Sequence, residues 1–160
     1  MTLCYVGLGS NLSQPEQQLR QALKALEDIS GVQLLQASSL YRSAPLGAPD
    51  QPWYVNAVAQ LETSLEPLDL LRELQTIENN QGRVRQGERW TPRTLDLDLL
   101  LFGDETLNSE VLTVPHYAMH ERNFVIFPLA EIAPNCVIPG IGSISSLLAA
   151  LPQEGIERIQ

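Results

Sequence analysis

Hydrophobic positions recur along the chain with two different periods, and the changes of period divide it into elements. Over 54–63, Val55, Ala57, Ala59 and Leu61 share one face while Tyr54, Asn56, Val58 and Gln60 share the other, the spacing of a strand. Residues 94–102 read the same way, with Leu95, Leu97 and Leu99 alternating against Asp96 and Asp98. Residues 3–8 predict a first strand, ended by Gly7, Gly9 and the turn-forming Ser10-Asn11. Elsewhere the period lengthens to three and four. Ser13 and Pro15 open a helix to about residue 29 with Leu19, Leu23 and Leu26 on one side, and Gly31 closes it. Pro67 suits the first turn of a second helix, to about residue 80, whose apolar face carries Leu70, Leu71, Leu74 and Ile77. Residues 32–42 are β-prone and predict one further strand, although Gln33 and Gln36 blur its alternation.

Two stretches interrupt this periodicity. Residues 43–53 hold three prolines and a glycine, and 82–92 is an arginine-rich loop. The resulting order, β-α-β-β-α-β, predicts an α+β protein: a ferredoxin-like βαββαβ sandwich with two helices on one face of a mainly antiparallel sheet. A C-terminal extension follows, with short helices expected around 121–131 and 143–150. A length of 160 residues fits a single domain, 1–160.

Composition narrows the function classes. The chain is 44% hydrophobic and 18% charged, without a low-complexity tract, as expected of a globular protein. The N-terminal MTLCYVGLGSN lacks the basic and long apolar regions of a secretory signal, and no apolar run is long enough to span a bilayer, so a cytoplasmic location without membrane contact is the expectation. Cys4 and Cys136 are far apart and outside any CxxC spacing, which argues against a metal knuckle. With 19 acidic and 10 basic residues the net charge is -9, so the surface repels a bulk polyanion and nucleic-acid binding is disfavoured. Four of the ten basic residues, Arg83, Arg85, Arg89 and Arg93, nevertheless fall within 83–93. A local positive patch inside a negative protein suits a small anionic ligand.

That patch leads directly into RWTPRTLDLDLLLF, 89–102. Residues i and i+2 of a strand project from the same face, so Asp96 and Asp98 stand side by side, about 7 Å apart at their bases. Paired carboxylates suit a hard divalent cation, and clustered guanidiniums suit phosphate oxygens. Together they predict an enzyme that handles metal-bound nucleotide phosphates. Trp90 could stack on a base or anchor its loop. Asn56 offers both a donor and an acceptor to the edge of a heterocycle, and Tyr54 could stack on such a ring or pack. His116 and His120 lack a third ligand at zinc-site spacing, so a phosphate donor or proton shuttle fits His116 better. GLGSN at 7–11 does not have the spacing of a dinucleotide loop, and the chain lacks GxxxxGK[ST] and a nucleophile elbow.

Taken together, YVGLGSNL at 5–12, LYRSAPLG at 40–47, DQPWYVNAV at 50–58, GRVRQGERWTPRTLDLDLLLFG at 82–103 and LTVPHYAMHERNFVIFPLAEIAP at 112–134 resemble the 6-hydroxymethyl-7,8-dihydropterin pyrophosphokinase family of folate biosynthesis. The resemblance implies transfer of pyrophosphate from ATP to the pterin hydroxymethyl group, with release of AMP. Asp96 and Asp98 would then hold two Mg²⁺ ions along the triphosphate, with Arg83 and Arg93 as the main phosphate contacts. Gln75, Glu78, Arg85, Trp90, Leu99, Thr113, His116, Tyr117 and Arg122 would line the nucleotide path. The pterin would sit between Tyr54 and Phe124, its edge read by Asn56 and by backbone groups of Ser43, Pro45 and Leu46. The implied partners are these small molecules alone, and a monomer is the expectation.

The chain departs from the common pattern at Ser43-Ala44, where Thr-Pro is frequent, and at Thr91, Val111 and His120, where glycine, arginine and lysine occur in relatives. The first departure predicts a looser pterin loop that still retains a hydroxyl. Three other readings compete: a ferredoxin-like binding module for RNA or a small-molecule effector, a two-metal phosphohydrolase, and a non-catalytic homologue, which the presence of both Asp96 and Asp98 disfavours. The acidic strand 94–102 disfavours the RNA-binding form of the module, and the aromatic and asparagine positions favour an organic acceptor over water.

Overall fold

The computed structural model describes residues 1–44, 53–82 and 95–159. In chain order the main elements are β1 (Thr2–Ser10), α1 (Pro15–Glu27), β2 (Val32–Ala37), β3 (Tyr41–Ser43), β4 (Tyr54–Thr63), α2 (Pro67–Gly82) and β5 (Leu95–Phe102). Two small hairpin strands follow, β6 (Leu107–Asn108) and β7 (Thr113–Val114), then a 3-10 turn at Met119–Glu121 and α3 (Asn123–Ile132). The chain finishes with β8 (Val137–Ile138), β9 (Gly142–Ser143), α4 (Ile144–Ala150) and β10 (Ile156–Arg158).

The sheet order is β10-β3-β4-β1-β5, with β2 also paired to β4, and every pairing in it is antiparallel. If β2 and β3 count as one interrupted strand, this is the expected ferredoxin-like arrangement. Alternation decides which side each residue serves. Val6, Leu8, Ala57, Leu61, Leu95 and Leu97 face α1 and α2, where they pack against Leu19, Leu26, Leu70 and Leu74. Each fully buried leucine there contributes roughly 1.5–3 kcal/mol relative to exposure.

The opposite face is divided. At one end Val58, Leu100 and Leu101 are covered by Val125, Ile126 and Leu129 of α3 and by Ile144 of α4. At the other end the face is open and carries Gly7, Gly9, Asn56, Asp96 and Asp98. A bulge makes this division possible. Tyr5 pairs with Leu101 and Val6 with Leu99, which leaves Leu100 as an extra residue of β5. Leu100 and Leu101 therefore both face α3, and Phe102 returns to the α1/α2 side.

The strand expected over 32–42 is broken in two at 38–40. Ser38 Oγ accepts from the Val58 N–H at 2.9 Å, so a side chain takes over the ladder there. Ser39 N and Oγ donate to the Glu131 carboxylate, and Tyr41 Oη donates to it at 2.8 Å, which pulls the chain toward α3. Burial would raise the Glu131 pKa, but these hydrogen bonds outweigh it and hold the carboxyl below its ordinary range. Among the described residues, no helix is long and apolar enough to cross a membrane.

Candidate active site

The open end of the sheet forms the floor of a cavity of about 250 Å³, near the lower end of the roughly 300–1,000 Å³ usual for ligand sites. Register explains its composition. Gly9 pairs with Asn56 on one side and Asp96 on the other, while Gly7 pairs with Val58 and Asp98. Two glycines in the central strand thus keep the floor low between a carboxylate pair and an amide. The closeness is real at Gly9: a Cβ there would lie 3.2 Å from Asn56 Oδ1 and 3.8 Å from Tyr54 Cδ2. The walls are Ser43 and Ala44 at the end of β3, Tyr54 at the start of β4, and Arg122, Phe124 and Val125 around the start of α3.

Asn56 is buried and donates through Nδ2 to Ser43 Oγ at 2.6 Å. The serine hydroxyl, expected as threonine in the family pattern, thus orients the Asn56 amide. Ala44, standing where proline is frequent, donates its backbone N–H to the Gly155 carbonyl at 2.9 Å. Proline lacks that donor. The chain entering 45–52 is accordingly tied to the C-terminal segment.

Asp96 and Asp98 share the open face, as the alternation of β5 predicts. Burial raises the Asp98 pKa, and the Arg122 guanidinium offsets only part of that. Glu78 stands at the outer edge of β5, where its carboxylate accepts the Leu97 N–H at 2.7 Å. Burial raises the Glu78 pKa, the Leu97 N–H opposes this, and the neighbouring Asp96 and Asp98 add to it. A divalent cation at Asp96 and Asp98 would relieve this desolvation and repulsion. Among the described residues no cluster of three or more His, Cys, Asp or Glu encloses a metal. The protein would supply two carboxylates, and phosphate and water oxygens the rest, the pattern Mg²⁺ favours.

Of the residues expected along the nucleotide path, His116 is bonded to the outer edge of β5 with Tyr117 beside it. The other described ones are spread over α2, β5, the β6-β7 hairpin and the start of α3. The His116 N–H donates to the Leu100 carbonyl at 3.0 Å, and His116 Nδ1 accepts from the Ala118 N–H at 3.3 Å. The second bond leaves Nε2 as the protonated nitrogen of a neutral ring, able to donate to a ligand oxygen. Burial, and then Arg122, lower its pKa, so the ring is neutral at pH 7. Exposed Tyr117 stacks on it, with centroids 4.8 Å apart. Arg122 also lies over the Phe124 ring at 5.6 Å. Thr113 sits in the β6-β7 hairpin, and Gln75 is on the exposed side of α2. The Leu99 side chain is buried in the α1/α2 core, so a ligand contact from that position would come from its backbone. Pro45, Leu46, Arg83, Arg85, Trp90 and Arg93 lie outside the described residues, as do Arg89 and Thr91.

Sequence reasoning did not anticipate the floor formed by Gly7 and Gly9, which it read only as the end of a strand. It also missed the stacking of the Arg42 guanidinium on Trp53, 4.8 Å from the ring centroid, and the last strand, β10. Ile156 and Ile159 after Gly155 were the available signal for β10, a weak one in a mostly polar tail.

Comparison with known proteins identifies a family. The family model described as 7,8-dihydro-6-hydroxymethylpterin-pyrophosphokinase (HPPK) matches residues 5–134. A 2-amino-4-hydroxy-6-hydroxymethyldihydropteridine pyrophosphokinase of Haemophilus influenzae is 56% identical over 148 residues, 92% of each chain. One from Pseudomonas aeruginosa is 54% identical over 155 residues, 97% of this chain and 95% of that one. In fold, the chain is similar to the Plasmodium falciparum HPPK-DHPS wild type with pterin and p-hydroxybenzoate, with a TM-score of 0.75 at 13% identity. That match covers 99% of this chain but only 46% of the Plasmodium chain. By the extent of the family match and by identity to the bacterial enzymes, the chain belongs to the 7,8-dihydro-6-hydroxymethylpterin-pyrophosphokinase family.

Proposed function

We propose that the cavity above Gly7 and Gly9 receives the pterin ring, while Asp96 and Asp98 at its rim would hold Mg²⁺ and, through it, the ATP triphosphate. The chain transfers pyrophosphate from ATP to the hydroxymethyl group of 6-hydroxymethyl-7,8-dihydropterin, releasing AMP, in tetrahydrofolate biosynthesis. One observation carries the site assignment: the carboxylate pair and the Asn56-Tyr54-Phe124 pocket share one open sheet face, separated only by two glycines.

In the reaction the pterin hydroxyl oxygen attacks the β-phosphorus, the bond from that phosphorus to the α–β bridging oxygen breaks, and the hydroxyl proton is lost. Such a step needs in-line placement and charge stabilisation more than a strong base. Asp96 and Asp98 would hold the divalent ions, two in this reading, which when bound would supply charge neutralisation for the phosphate oxygens. Asn56, oriented by Ser43, reads the edge of the ring, and Tyr54 and Phe124 take its faces. Arg122 lies between Asp98 and Phe124 and is suited to the charge passing between the two substrates. Neutral His116 donates from Nε2 toward the nucleotide. Arg83, Arg85, Trp90 and Arg93 belong to this reading as phosphate and base contacts, with Pro45 and Leu46 on the pterin side. In this reading the enzyme acts as a monomer in the cytoplasm, with the small molecules ATP and pterin as its partners.

The test is AMP release by purified protein with ATP, Mg²⁺ and the pterin, against a control without pterin. The expected result is pterin-dependent AMP matched by diphosphorylated pterin, both abolished in Asp96→Ala. ADP or free phosphate formed without dependence on pterin would overturn the reading.

A further inference from the structure

Residues 152–156 cross from one wall of the cavity to the other. On the α3 side, Asn123 sits between the cavity residues Arg122 and Phe124. Its Nδ2 donates to the Pro152 carbonyl at 2.9 Å and to the Glu154 carbonyl at 3.3 Å. On the β3 side, the next carbonyl along, that of Gly155, accepts from the Ala44 N–H, and Ile156 pairs with Ser43. Gly155 has φ +75°, the left-handed conformation that lets the segment turn onto the strand edge. The contacts run without a break from Phe124 through Asn123 and the 152–156 backbone to Ala44.

We propose that Asn123 is a positioning residue for the pterin: through this strap it fixes the separation of the Phe124 wall from the Ser43-Ala44 wall. The inference rests on the assignment of the cavity to the pterin. Helix α3 is tethered to the β2-β3 side at both of its ends, by Glu131 far from the cavity and by Asn123 beside it. Only the second tether borders the pocket, so the two should separate stability from substrate fit. A primary amide suits the position because its two hydrogens can serve two carbonyls at once.

The decisive experiment compares Asn123→Ala with Glu131→Gln, titrating each with the pterin in the presence of Mg²⁺ and α,β-methylene ATP, whose α–β bridge cannot be cleaved. Asn123→Ala should weaken pterin binding about five- to tenfold, the effect of losing a hydrogen-bonded tether, and leave analogue affinity within about twofold. Its KM for pterin should rise with little change in kcat. Glu131→Gln should lower Tm and leave pterin affinity in place. Asn123→Ser, which keeps one shorter donor, should fall between Ala and wild type. Gly155→Val cuts the same strap at its other anchor, so combining it with Asn123→Ala should add little. Unchanged pterin affinity in Asn123→Ala, equal weakening of both ligands, or full additivity with Gly155→Val would each overturn the proposal. Failure of the wild-type protein to bind pterin would instead overturn the site assignment beneath it.

Discussion

Gly9→Ala should separate folding from function. The backbone at Gly9 is ordinary extended strand, where alanine is favoured over glycine by about 0.5–1 kcal/mol. The obstacle is spatial. The new methyl would lie 3.2 Å from Asn56 Oδ1, and Asn56 cannot swing away freely because its Nδ2 is held at 2.6 Å from Ser43 Oγ. A shift of a few tenths of an ångström at Asn56 offsets the propensity gain, so Tm should stay within about 3 °C of wild type. Substrate binding has no such compensation. A methyl occupies about the volume of a water molecule, ~30 Å³, or about a tenth of the 250 Å³ cavity, and it stands on the floor where the ring must lie. Overpacking of this kind costs about 1–3 kcal/mol, which corresponds to about five- to 150-fold weaker pterin affinity. Isothermal titration with pterin, Mg²⁺ and α,β-methylene ATP measures it, with analogue binding as the internal control. Pterin affinity within twofold of wild type would refute the claim that the ring rests on this strand.

Two further predictions concern carboxylates whose folded-state pKa values move in opposite directions. Glu78 is raised above its ordinary 4.5, chiefly by burial, so folding favours its protonated form and stability is lost as pH rises through that range. Glu78→Gln keeps an acceptor for the Leu97 N–H and should raise Tm at pH 7 in metal-free buffer, with the gain disappearing below about pH 4; a lower Tm at pH 7 would contradict the argument. Glu131 is held below its ordinary 4.5 by Tyr41 and Ser39, so its contribution is present above that value and is lost as pH falls through the folded one. Glu131→Gln should cost about 1 kcal/mol at pH 7 after discounting for solvent, or about 2–4 °C in Tm, and differential scanning calorimetry should show the gap closing in acid.

Much of this architecture was legible because one face of the sheet is buried along its length while the opposite face is open at the end that carries the cavity. In β4 and β5 a period of two follows directly from one apolar face and one polar face, and it placed Asp96 and Asp98 together on the open side. The break between β2 and β3 was not legible. It depends on Ser38 replacing a backbone partner of Val58 and on Glu131, 92 residues away from Ser39, and no local pattern records contacts at that separation. Asn123 was hidden for the same reason: alone it is an ordinary residue at a helix start, and its role exists only once the tail has returned. Gly7 and Gly9 were visible but misread, because their meaning lies in the side chains of the two flanking strands. The carboxylate pair, Tyr54 and Asn56 could be named from sequence because their chemistry is local, whereas Phe124 came only through the family resemblance. Their arrangement around a shared floor had to come from the register.

The extra residue in β5 has a consequence for how this strand can change. A strand carries its assignment of faces as a phase, and a uniform alternation from Asp96 onward would send Phe102 to the side that Asp96 and Asp98 occupy. Leu100 resets the phase in the middle of the strand, so the two halves obey different alternations. The half that lines the cavity and the half that seats α3 are therefore written independently. Substitutions that adapt the carboxylate end to a ligand need not propagate into the packing of Leu101 and Phe102, and repacking there need not rotate an aspartate out of the site.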